Sequence, residues 1–170
     1  MNPNGEEFEA YCIRRWGSSS WTNRLKQEGR KNGTGANFSN WKWFPNTMKS
    51  HRLIKFAKEK YNIDTSQSNE ALFHALYEEG ENLSLNDVLV KVGMEQLNLP
   101  NEHELREYLE GDEGEDEVQS EIRQGKRMYQ ISGVPFFVIE AEDGGASPFG
   151  ISGAQEKDTF LEIFDGFTEG

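Results

Sequence analysis

The spacing of apolar residues changes character once, near residue 130, and that change limits the folds open to the chain. Up to Tyr129 the apolar positions recur at helical intervals. Beyond it, Pro135 to Glu140 is a β-rich run, Asp143-Gly144-Gly145 reads as a turn, and a second short strand is predicted around Pro148 to Ile151. A closing helix from Gln155 to Phe167 carries Phe160, Leu161, Ile163 and Phe164 on one face. A hairpin packed by a terminal helix after a helical block is an α+β arrangement. Two strands alone rarely make a stable sheet, so something else is expected to complete this one.

Within the helical block, Phe8, Tyr11, Cys12, Ile13 and Trp16 predict a helix from Glu6 to Trp16 with Gly17 as its C-terminal cap. Ser18 to Ser20 start a second short helix through Trp21 and Leu25 that Gly29 closes, and Asn32 to Gly35 reads as loop. Phe38 to Pro45 is aromatic and extended, a loop with some strand character. Asn46 or Thr47 caps a helix to Tyr61, with Leu53, Ile54, Phe56 and Ala57 inward and Lys49, Arg52, Lys55 and Lys58 outward. Further amphipathic helices are predicted from Ser68 to Gly80 (through Leu72, Phe73, Leu76 and Tyr77), from Ser84 to Leu97 and from Asn101 to Leu109. Helix resumes by Glu117 and ends at Tyr129. The short turns suit a compact bundle. With no repeat or linker, residues 1–170 read as one domain, helical over about 5–129 and hairpin plus helix over 130–170.

A formal net charge of -12 makes self-repulsion the dominant electrostatic fact and argues against nucleic acid and anionic membrane as partners. Apolar runs such as Val134 to Ile139 are too short to span a bilayer, and no basic stretch followed by an apolar one opens the chain; the expectation is a soluble, cytoplasmic protein. Cys12 is the only cysteine, so the 170 residues hold no CxxC pair, no internal disulfide and no thiolate zinc cluster. It reads as a buried small hydrophobe. His51, His74 and His103 fall on three predicted helices without metal-ligand spacing, so no metal site is expected. Ser18 to Ser20 and Ser152 lack the histidine and acid of a hydrolytic triad, and Gly150 to Gly153 lacks the lysine of a phosphate loop. The seven acids from Glu110 to Glu121 suit a solvated helix start, and Trp16, Trp21, Trp41 and Trp43 read as core rather than a stacking platform.

The most specific stretch is Ser132-Gly133-Val134-Pro135-Phe136-Phe137-Val138-Ile139, followed after the hairpin by Gly150-Ile151-Ser152-Gly153-Ala154-Gln155. It resembles the end of DsbA-like thioredoxin domains, in the branch of FrnE-type oxidoreductases and 2-hydroxychromene-2-carboxylate isomerases. Pro45-Asn46-Thr47 with Ser50-His51-Arg52-Leu53, and Leu72 to Tyr77 followed by Glu79-Gly80, resemble the helical insertion of that family, and Gln130 departs from a glycine often seen there. The resemblance implies a cis Val134–Pro135 bond, which for a prolyl peptide costs only about 0.5–1 kcal/mol. It also implies a substrate-facing wall at Gly133, Val134 and Pro135, with Asn46 and His51 as flanking contacts. An extended peptide bearing a thiol or disulfide, or glutathione, would pair with the Val134 main chain as an added strand.

The family's first strand, its CxxC or serine turn and the next helix and strand are expected ahead of Gly5 and are not in this sequence. The expectation is therefore an incomplete thioredoxin-like domain that supplies no catalytic residue and exchanges little or no disulfide alone. Two other readings stand beside it: a glutathione-dependent isomerase or transferase relative, and a non-enzymatic truncated module that binds a partner or self-associates through its open sheet edge.

Overall fold

The structure is a computed structural model that describes residues 2–31, 36, 38, 40–141 and 147–168. It divides into two compact units, Met1–Val118 and Gln119–Gly170. The predicted loop at Asn32 to Gly35 and turn at Asp143 to Gly145 lie outside the described residues.

The first unit opens with β1 (Glu6–Glu7) and α1 (Phe8–Trp16). Glu7 caps α1 by accepting the Ala10 N–H at 2.7 Å, and Gly17, at φ 78°, ends it in the left-handed region that glycine adopts without cost. Glu6 and Glu7, expected in the helix, instead pair antiparallel with β2 (Trp43–Phe44). The helix α2 (Thr22–Lys31) runs through Gly29, where a helix end was expected. Gly29 is there for close approach: the Ala36 carbonyl oxygen occupies the place a Cβ would take.

Next come α3 (Met48–Tyr61) and α4 (Thr65–Phe73), the latter capped by the Asp64 carboxylate on the Ser66 N–H at 2.7 Å. α4 continues as a π-helical turn over His74–Glu79 that Gly80 ends at φ 75°. α5 (Asn86–Lys91) likewise passes into a π-helical turn over Val92–Gln96, and α6 (Glu102–Glu110) follows, its Asn101 side chain accepting the Glu104 N–H. Their inner faces form one core, with Leu53, Leu72, Leu89, Leu105 and Leu109 at 3% exposure or less. Phe73, one of the apolar positions of the predicted amphipathic helix, is 55% exposed, because the buried stripe passes through Leu72 and Leu76 and leaves its neighbour outward.

The larger correction concerns Arg52, assigned to the solvent side of α3. It is 1% exposed. Its guanidinium donates to the carbonyls of Tyr108 and Glu113, the latter at 2.8 Å, with a longer bond to Leu109 at 3.5 Å, and lies over the Tyr108 ring. The Tyr108 and Leu109 carbonyls sit in the last turn of α6, where orphan acceptors and the negative end of the helix dipole favour a cation, and Glu113 lies in the turn just beyond it. An amphipathic pattern counts arginine as outward; here the planar fork of donors makes burial tolerable.

The second unit holds most of α7 (Glu115–Tyr129), then β3 (Phe136–Ile139), β4 (Phe149–Ser152) and α8 (Lys157–Thr168). β3 and β4 form an antiparallel hairpin pairing Phe136 with Ser152, Phe137 with Ile151, Val138 with Gly150 and Ile139 with Phe149. Among its described hydrophobic residues only Ile151 is buried; Phe149, Leu161 and Phe164 are each about half exposed. No helix among the described residues is long and apolar enough to cross a membrane.

Candidate functional site

α7 ends at Tyr129, and Gln130 turns the chain with φ 51°. The glycine absent from this position is thus a position where the backbone is left-handed, which a side chain makes costly. The chain then reaches Gly133, Val134 and Pro135 immediately before β3. All three are exposed, Val134 at 90%, and a Cβ at Gly133 would meet nothing within 4 Å. The Val134–Pro135 peptide is cis.

The hairpin holds this segment from one side. The Pro135 carbonyl accepts the Gly153 N–H at 2.8 Å, one rung beyond the Phe136–Ser152 pair, and Gly153 at φ 85° turns the chain away. Gln155 Nε2 donates to the Ser152 carbonyl at 3.2 Å. Phe137 meets Phe160 of α8 edge to face at 4.9 Å, which fixes the helix against the strand. No hydrogen bond among the described residues engages the Val134 main chain. Its donor and acceptor lie beside a strand end, open to solvent, which is the geometry for pairing with an extended ligand.

Asn46 and His51 belong to the first unit. The Asn46 side chain accepts the Met48 N–H at 3.1 Å and so caps α3, while its own N–H donates to Ser84 Oγ at 2.8 Å. Thr47, the alternative cap, makes no side-chain capping bond. His51 lies on the exposed side of α3, one position before Arg52, with its N–H on the Thr47 carbonyl.

Cys12 is fully buried in α1. Burial pushes its thiol up, the Glu7 and Glu9 carboxylates push the same way, and a hydrogen bond with the Trp21 side chain opposes them. A buried thiol held protonated is a poor nucleophile. Among the described residues no group of three or more His, Cys, Asp or Glu side chains is placed to hold a metal ion. The tryptophans divide: Trp41 and Trp43 pack partly buried against the core, whereas Trp16 and Trp21, expected inside, are 49% and 43% exposed.

Compared with known families, residues 18–165 match the model of the DSBA-like thioredoxin domain. The match takes in both units, including the Gly133–Pro135 segment and the hairpin. No curated protein matches the chain.

Proposed function

We propose that this chain, which belongs to the DSBA-like thioredoxin family, is the substrate-recognition part of a thiol–disulfide oxidoreductase of the FrnE-type branch. The ligand is an extended peptide bearing a thiol or disulfide, or glutathione, taken at Gly133, Val134 and Pro135. The observation that carries the reading is the exposed, unpaired main chain of Val134 at the start of β3, inside the span that matches the family. Disulfide exchange needs a thiolate to attack and a thiol to resolve the mixed disulfide. With Cys12 as the only thiol, buried and protonated, both would have to come from outside these 170 residues.

The test is titration of isotopically labelled protein with oxidised glutathione and with a disulfide-bearing peptide, followed by amide NMR. We expect shifts at Gly133, Val134 and the β3–β4 hairpin, and no thiol-exchange turnover by the polypeptide alone. Unmoved Gly133 and Val134 resonances at saturating ligand, or robust turnover, would refute the reading.

A further inference from the structure

The outward tryptophans lie where the charge of the chain reverses. Between Ala10 and Arg52 fall nine of the 18 basic residues and one of the 30 acidic ones. Trp16 and Trp21 meet edge to face at 5.5 Å, and inner rings back them: Trp16 packs on Tyr11 at 5.4 Å and Phe44 at 6.0 Å, Trp21 on Trp41 at 6.0 Å. Each outer ring is therefore braced from behind and open in front.

Three depressions run on from this pair. Trp16, Ser18, Ser20 and Trp21 line an open groove of about 550 Å³. Ser18 and Ser20 also line a second, of about 380 Å³, with Lys26, Trp41 and Lys42 on its wall and the Glu7 and Glu9 carboxylates on the same lining; Glu7 is engaged in capping α1. Lys26 is shared with a third, of about 400 Å³, walled by Asn23, Gln27, Arg30 and Lys31. Among the described residues no acid pairs with Lys26 or Arg30, and Lys31 meets Glu28 only at 3.9 Å.

We propose that this track docks an acidic polypeptide segment, an apolar side chain seated between Trp16 and Trp21 and its carboxylates on Lys26, Arg30 and Lys31. Charge complementarity selects the occupant: the track is cationic while the chain is -12 overall. A short acidic segment touches the track alone. A nucleic acid strand carries its phosphates on past it into the field of the remaining acids, against the electrostatic term that dominates its binding. Tryptophan and arginine are also the residues enriched at the anchoring points of protein-binding surfaces.

The experiment is fluorescence anisotropy of a short labelled peptide in which Glu alternates with Leu, against its Gln-for-Glu counterpart and an oligothymidylate of equal charge, at low salt. The peptide carries no cysteine, and the Gln counterpart, which offers the Val134 main chain the same backbone, separates binding here from strand pairing there. We expect the acidic peptide to bind about tenfold or more tightly than the Gln counterpart, with weakening by added salt and a blue shift of tryptophan emission. Lys26→Glu with Arg30→Glu, a change on a solvated helix surface that leaves the core untouched, should abolish the difference, and Trp21→Ala should remove the emission shift. Equal binding of both peptides, tighter binding of the oligonucleotide, or indifference to the charge reversal would overturn the proposal.

Discussion

Arg52 shows how much one side chain can decide in the helical unit. Its donors satisfy the Tyr108 carbonyl in the last turn of α6 and the Glu113 carbonyl just beyond that helix, and charged hydrogen bonds of this kind are worth more than neutral ones. We expect Arg52→Ala to lower stability by about 3 kcal/mol, seen as a drop in the urea midpoint, because the buried carbonyls lose their partner. At Gln130 the sign is opposite. A left-handed φ of 51° disfavours any side chain, so Gln130→Gly should raise stability by about 0.5–1 kcal/mol, seen as a higher urea midpoint, once the extra freedom of glycine in the unfolded chain is deducted. Cys12 gives a third check: a disulfide reagent should label it only after denaturation, and fast labelling of the native chain would contradict its burial.

The elements were legible in the sequence where period and cap agreed. α3 and α6 follow from their apolar stripes with Asn46 and Asn101 in capping positions, and the β3–β4 hairpin from its β-branched and aromatic run. What was hidden came from contacts distant in sequence: β1 forms only because Trp43 and Phe44 lie beside Glu6 and Glu7, and Gly29 reads as a stop until Ala36 folds onto it. The Gly133–Pro135 segment was readable as a string, but the outward setting of Trp16 and Trp21 was not, since burial depends on what α2 packs against. Thr22 alone is buried along α2, so we expect its amides to exchange with solvent faster than those of α3 and α6. Uniform protection across the three would count against that. α3 and α6 are also joined by Glu104, which accepts from Lys60 and from Tyr61 at 2.8 Å. The Lys60 hydrogen bond first, then that of Tyr61, holds its carboxyl below the ordinary 4.5. A depressed folded value means stabilisation that is complete above 4.5 and lost as pH falls through the lowered value. The urea midpoint of Glu104→Gln should therefore fall less than that of the parent on acidification.

At the scale of the whole chain, the two units differ in how much they bury. Residues 1–118 carry nearly all of the described buried hydrophobics, and residues 119–170 only Ile151. A two-stranded hairpin with one helix is a marginal structure in water. Limited proteolysis should cut within 119–170 first and leave a resistant fragment ending near Val118; a first cut inside α3 or α6 would contradict the division.

The paired π turns after α4 and α5 have a consequence for how this chain tolerates changes of length. A π turn closes its hydrogen bonds one residue wider than an α turn, so each stores a spare residue inside a helix. Deleting one residue from Val92–Gln96 can be absorbed by tightening that turn to ordinary winding, which keeps Leu97 and Leu99 in phase with the faces they fill. A deletion of the same size within α3 has no such slack, and would swing every side chain beyond it by about 100° around the axis.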